Sequence, residues 1–440
     1  MTQIRPKERD AILQSLRAGV VPRQGLHHIA VGRDKEIQAM IQDIDRIADN
    51  GSAIRFIIGE YGSGKTFFLY LVRSIALEKG LVTASADLTP DRRIQGSGGQ
   101  ARNLYAELMR NLSTRTKRDG GALPSIVERF ISTALNKAKD NGAKVDTIIH
   151  AKLSHLSELV GGYDFANVIE AYWQGHDTGN ETLKTDAIRW LRGEFSTQTD
   201  ARKALGVRTI ISDANVYDHL KLMARFIHLS GYKGLMIGLD EMVNLYKLAN
   251  SQARNGNYEQ ILRILNDCLQ GVAEGLGFVF GGTPEFLTDP RRGLYSYPAL
   301  QTRLAENSFA VSTGLTDFTG PVIRLANLSQ EEMFALLLNI RHVFAAGDQN
   351  RYLVPDEALN SFMAHCSQRI GEAYFRTPRN TIRAFIDFLS VQEQHPEMFW
   401  KSLIRDITLP NESNPDLAPL PNESGELPGD SGSDLVNFRL

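Results

Sequence analysis

Two hydrophobic periods alternate along the chain, and each change of period marks the border of an element. Residues 6–18 place apolar Ile12, Leu13 and Leu16 among charges, which is the spacing of a short amphipathic helix. A link punctuated by proline and glycine, "GVVPRQGLHHIAVGRD", leads into a helical pattern over 34–50. Next come an almost continuously apolar run, "AIRFIIG", a helix over 65–79 and a second strand, "LVTASADL". Strand, helix and strand at this short spacing predict an α/β fold, a parallel sheet flanked by helices.

From about 102 to 230 the pattern is helical, far longer than an ordinary crossover connection. It reads as a large helical insertion in the same domain. Strands resume with "GLMIGLD" at 234–240 and "LGFVFGGT" at 276–283, with a helix near 256–274 between them, and "PVIRLAN" at 321–327 reads as a fifth. Ser329 is a predicted N-cap for "QEEMFALLLNIRHVF", after which only helices are expected, to about 407. Beyond 408, Pro, Asn, Glu, Ser, Gly and Asp dominate and "PNES" occurs twice. Such a stretch buries too little apolar surface to offset its ordering entropy, so it is expected to be a disordered tail. Its end, "DLVNFRL", regains apolar residues that either dock on a partner or fray. The expected division is 1–33 (helix and link), 34–327 (core with insertion), 328–407 (C-terminal helices) and 408–440 (tail).

Composition narrows the function classes. With 440 residues, 42% hydrophobic and 23% charged, the chain suits two or three domains sharing a substantial core. A net charge of −2 does not advertise nucleic-acid binding, which would need a local basic patch. The loop "RTKR", with Arg115, Lys117 and Arg118, offers a small one, although charge clusters in loops are usually just solvated surface. Two cysteines, Cys268 and Cys366, exclude a disulfide framework, suit a reducing cytoplasm and have no neighbours at metal-ligand spacing. There is no leading apolar segment of signal-peptide length and no apolar run of about 18 residues, so no membrane span is expected.

The candidate chemistry begins where the first strand meets its helix. Gly59, Gly64, Lys65 and Thr66 fit G-x-x-x-x-G-K-[ST]. The loop of Gly59, Glu60, Tyr61, Gly62, Ser63, Gly64, Lys65, Thr66 and Phe67 is predicted to curl its N–H groups around a nucleotide's phosphates. Lys65 would reach the outer phosphates, the Thr66 hydroxyl would ligate magnesium, and the helix adds the positive end of its dipole. Holding phosphate does not cut it. In "GLMIGLDEM", Asp240 at the strand end would hold the ion through water, and Glu241 would polarise the attacking water. An isolated "DE" is commonly two solvated acids, but after an apolar strand beside a phosphate loop it favours hydrolysis.

Three weaker signals follow. Thr283, ending the strand "FVFGGT", either contacts the γ-phosphate or its water, or forms a plain Thr-Pro turn. In "RTPRNTIRAFIDFL", Pro378 starts a helix and Arg379 lies in its first turn, either folded over the nucleotide or simply exposed. Arg291, Arg292 and Arg303, in "RRGLYSYPALQTRL", are candidates for an arginine finger reaching a neighbouring subunit's nucleotide, and the sequence does not choose among them.

These elements in this order, with Glu directly after the strand-end Asp, resemble the AAA+ class of P-loop (ASCE-type) ATPases. The resemblance implies a sheet ordered 5-1-4-3-2, a C-terminal helical lid with Arg379 as sensor two, and Thr283 as sensor one. It also implies that "VGRDKEI" at 31–37 packs against adenine. A closer resemblance rests on "LRAGVVPRQGLHHIAVGRDKEI", on "AIRWLRGE" at 187–194 and on "GLMIGLDEM". Together they are similar to the ATP-binding proteins of bacterial phage-exclusion (BREX) islands, the BrxC/BrxD family, over roughly 5–405, with a length suited to the shorter BrxD-like type. The family implies ATP hydrolysis, a link to DNA, and work beside methyltransferase, helicase or phosphatase-like partners. The AAA+ class implies a homo-oligomer with ATP between its subunits. Two departures stand out: too few residues follow Arg379 for an appended winged helix, and the insertion has no counterpart in simple loader ATPases. Three functions are expected to compete: an ATPase assembling on DNA or a DNA-acting partner, a nucleotide-gated switch or scaffold with negligible turnover, and a loader for a separate helicase.

Overall fold

Eight residues buried end to end form β1 (Ser52–Gly59), a strand enclosed on both sides in a parallel sheet. The structure is a computed structural model, and it describes residues 4–370 and 378–405. β1 pairs with β4 (Leu276–Gly282) and with β5 (Val322–Leu325). β3 (Leu235–Asp240) joins β4 to β2 (Val82–Asp87), so the order is β2-β3-β4-β1-β5 with every pairing parallel. This is the order that the AAA+ resemblance implies.

A parallel sheet needs cover on both faces, and the period-two alternation assigns each side chain to one of them. Ala53 and Ile57 of β1, with Met236 and Val279, pack on α2 (Asp34–Ala48) and α3 (Lys65–Glu78) through Met40, Ile44, Phe68 and Val72. Ile54, Phe56 and Ile58 point the other way, into a core shared with Ile237, Phe278, Phe280 and the helix Ser251–Leu269. The same core runs on into the insertion, seven α-helices from Gln100–Arg110 to Val216–Leu229. Phe130, Phe165, Trp190 and Phe226 of those helices are each buried in it. The insertion is thus packed on the sheet as an extension of one core. Trp190 of "AIRWLRGE" is a core residue here, its Nε1 donating to Thr209 O at 2.9 Å.

A second core holds the C-terminal helices Gln330–Phe344, Asp356–Ile370, Pro378–Gln394 and Trp400–Arg405. Phe362 stacks on Phe388 there, with centroids 6.0 Å apart. The N-terminal helix α1 (Pro6–Arg17) belongs to this core through Ile12 and Leu13, and Arg9 Nε donates to Phe344 O at 2.7 Å. α1 and the C-terminal helices form one packed unit, although sequence alone sets 1–33 and 328–407 apart.

Ser329 closes a reciprocal cap. Its Oγ accepts from Glu332 N at 3.2 Å, and Glu332 Oε2 accepts from Ser329 N at 2.8 Å. Ser329→Ala is expected to destabilise this helix by about 1 kcal/mol. Faster amide exchange in the first turn of Gln330–Phe344 would report it, and unchanged exchange there would refute it.

Some boundaries differ from the sequence reading. The helix expected over 34–50 ends at Ala48, because Asn50 turns with φ +63° into β1. The strand expected over 321–327 stops at Leu325, and Asn327 instead donates its Nδ2 to Glu60 Oε2 at 3.2 Å. The tail 408–440, with "DLVNFRL", lies outside the described residues. Cys268 and Cys366 are buried free thiols, each pushed up to about 12 by desolvation. Among the described residues no helix is long and apolar enough to cross a membrane.

Candidate functional site

The loop after β1 turns back on itself. Gly62 and Gly64 hold φ at +84° and +86°, a region that side chains with a Cβ rarely adopt. At Gly59 crowding decides, since a Cβ there would stand 2.3 Å from Ser63 Oγ. The Lys65 ammonium donates to the carbonyl oxygens of Gly59 and Glu60, each at 2.9 Å. Ser63 Oγ is buried and has no hydrogen-bond partner among the described residues. A phosphate oxygen supplies the partners that this hydroxyl and the lysine call for, so the loop fits a polyphosphate.

β3 brings its acids to the same place. Asp240 is buried, and its Oδ2 accepts from Thr66 Oγ1 at 2.8 Å. This pair joins the first turn of α3 to the end of β3, and a hydroxyl beside a carboxylate is a donor set suited to magnesium. Glu241 follows with φ +58°, an uncommon backbone for a residue with a long side chain, and its N–H donates to Asp240 Oδ1 at 2.9 Å. The turn places the exposed Glu241 side chain on the cavity wall. Across the sheet, Asp87 pairs in register with Asp240. Desolvation first, and then the Asp240 charge, hold the Asp87 carboxyl above its ordinary range.

Thr283 is buried where β4 ends. Its Oγ1 accepts from Phe286 N at 3.4 Å, capping the short helix Pro284–Thr288, while the residue also lines the cavity. Arg379 enters from the C-terminal helices. Its Nη1 donates to Tyr61 Oη at 3.2 Å, and its guanidinium lies 5.8 Å from that ring's centroid. One cavity therefore collects Tyr61, Gly62, Ser63, Gly64, Lys65, Thr66, Phe67, Asp240, Glu241, Thr283 and Arg379. Its other end is apolar, walled by Val20, Ile29, Val31, Leu336 and Ile382. A triphosphate and a flat base need that combination of polar loop and greasy slot.

Not every predicted residue is on that wall. Gly59 and Glu60 contribute their carbonyl oxygens to Lys65, and the Glu60 side chain turns away toward Asn327. Arg291, Arg292 and Arg303 lie elsewhere. Arg292 is engaged inside its own chain, Nη2 donating to Lys247 O at 3.2 Å and Leu248 O at 3.0 Å. Arg291 and Arg303 are exposed. In the "RTKR" loop, Arg118 pairs with Glu78, and Arg115 and Lys117 are exposed.

Arg33 was not singled out by sequence. It has φ +66°, and its Nη2 donates to Ser63 O at 3.4 Å and to Ala326 O. It thereby ties the link, the phosphate loop and the end of β5 together. The glycine before it, in "VGRDKEI", is the one local sign of that turn.

Comparison with the models of known protein families matches residues 4–408 to the family described as BREX system ATP-binding protein BrxC/D. No curated protein matches the chain.

Proposed function

The chain belongs to the BREX system ATP-binding protein family BrxC/D, and from that premise we propose that it is an AAA+ ATPase that hydrolyses ATP in the cavity described above. The observation that carries this reading is the Thr66–Asp240 contact with Glu241 beside it. It unites a phosphate-loop hydroxyl, a strand-end acid and a carboxylate base around one cavity.

The residues divide the work. The loop N–H groups and Lys65 bind the phosphates. Thr66 and Asp240 would hold Mg2+, which when bound neutralises charge on the β- and γ-phosphate oxygens. Glu241 takes the proton of the attacking water. Thr283 accepts from Phe286 with a lone pair, so its own proton remains available to the γ-phosphate or that water. The helices within 328–407 act as a lid over the 34–327 core, and Arg379 reports the phosphate state from it. The link in 1–33 walls the adenine end.

The protein works as a homo-oligomer in the cytoplasm, on DNA or on a DNA-acting partner such as a helicase or methyltransferase. Arg292 and Arg303 both donate to carbonyl oxygens of their own chain, Arg303 Nη1 to Ala299 O at 3.0 Å, which favours Arg291 as the finger in trans. The Arg379–Tyr61 contact supports a second reading, a switch whose lid follows nucleotide occupancy with negligible turnover.

Phosphate release in steady state, with and without duplex DNA, separates the two. Turnover is expected. Lys65→Ala is expected to weaken ATP binding by about 1.5–3 kcal/mol, roughly 10–150-fold. Negligible release under all conditions selects the switch, and unchanged ATP affinity in Lys65→Ala removes the phosphate-loop assignment. The mass of the assembly with a non-hydrolysable analogue and DNA tests oligomerisation in the same preparation.

A further inference from the structure

A second group of donors lies outside the nucleotide cavity, where α1 meets the link that follows it. Glu8 of α1 and His27 and His28 of the short turn Leu26–His28 each offer one ligand atom, and these atoms lie within 4.8 Å of one another. His28 Nε2 is 3.6 Å from Glu8 Oε1, and the two imidazole centroids are 4.0 Å apart. A tetrahedral zinc ion with bonds of about 2.0–2.1 Å spaces its donors about 3.4 Å apart. His28 and Glu8 already stand close to that spacing, and exposed His27 has a donor atom within 4.8 Å of both.

The turn that aligns them is built tightly. Gly25 holds φ +72°, and a Cβ on it would meet Ile12 Cδ1 at 2.5 Å and Glu8 Cγ at 3.2 Å. The link is therefore pressed onto the same side of α1 that carries Glu8. Two imidazoles and one carboxylate form a donor set suited to Zn2+.

We propose that Glu8, His27 and His28 form a transition-metal site, taking Zn2+, that cross-links α1 to the adenine-side link. The consequence reaches the nucleotide cavity. Ile29, Ala30 and Val31 follow His28 directly and line that cavity, as do Leu16 and Gly19 at the far end of α1. An ion joining the two segments braces the wall of the base slot. The proposal is independent of whether the bound nucleotide is cut.

The test uses the full chain, stripped of metal and titrated with zinc chloride against a chromophoric chelator. One ion per chain is expected to bind the wild type. The His27→Gln/His28→Gln variant should lose it, and Glu8→Gln should weaken it by more than the roughly 10–100-fold that an outer-shell change costs. Amide exchange over residues 26–31 should slow on zinc addition in the wild type alone. Retained binding of a non-hydrolysable ATP analogue, with magnesium only, verifies that the variants are folded. Other surface pairs, such as His150 with Glu170, give a background common to all variants. Wild-type affinity equal to that of the double variant overturns the proposal, and so does zinc protection that falls elsewhere in the chain.

Discussion

Glu241→Gln is expected to leave ATP bound in the cavity while turnover falls about 10²–10⁴-fold, the usual worth of a general base. The substitution keeps the size of the side chain and leaves the backbone at φ +58°, where glutamine is no more strained than glutamate. The Glu241 N–H can still donate to Asp240 Oδ1, so the neighbouring acid keeps its orientation toward Thr66. The capacity to accept a proton is lost together with the negative charge. Binding and cleavage therefore separate: analogue affinity should stay within about threefold, a difference of under 1 kcal/mol, while phosphate release collapses. Full turnover in this variant would remove Glu241 from the mechanism and pass the base's role to another group. Loss of binding and turnover together would mean that Glu241 is a structural support of the cavity.

What could be read in the sequence was local. The phosphate loop, β1 and α3 are contiguous, so one short motif with an apolar run before it announces all three. Asp240 and Glu241 are legible because a strand end is a fixed place in a parallel sheet. The remainder depends on chain segments that meet only after folding. Arg33 reaches Ser63 and Ala326 through a left-handed backbone turn, for which the residue type alone carries no signal. The placement of α1 among the C-terminal helices joins segments far apart in sequence, and no periodicity within residues 6–18 names its partner. Thr283 shows a different limit. Its side chain caps a turn and lines the cavity at once, so the turn alone does not choose between a phosphate contact and a plain Thr-Pro turn. Arg291, Arg292 and Arg303 are alike in sequence, and only folding ties Arg292 to Lys247 and Leu248 and Arg303 to Ala299.

The buried pair of Asp43 and Arg55 was equally invisible, and it leads to the largest expected effect on stability. Arg55 interrupts the almost continuously apolar run of β1. Alternation places it on the same sheet face as Ala53 and Ile57, against α2, and there it meets Asp43. Asp43 and Arg55 keep side-chain exposures of only 3% and 7%, so neither charge has water to fall back on. The contact is bidentate, Nε to Oδ2 and Nη2 to Oδ1, the latter at 3.2 Å. Arg55 Nη1 also donates to Phe318 O at 2.8 Å and to Gly320 O, fastening the approach to β5.

Asp43→Ala strands a guanidinium in the core, which is expected to cost about 3–5 kcal/mol. Against a typical total of about 5–15 kcal/mol, that is a large share. Removing both charges, as Asp43→Leu with Arg55→Met, should recover part of the loss, because a buried pair often does no better than apolar residues of similar volume. Recovery should stop short of full, since the carbonyl oxygens of Phe318 and Gly320 then lose their donor. Urea unfolding followed by tryptophan fluorescence, to which Trp190 on the opposite face of the sheet contributes, measures both variants. A single variant within about 1 kcal/mol of the wild type, the level of an exposed ion pair, would mean that water reaches Arg55 and that the pair does not hold α2 to the sheet.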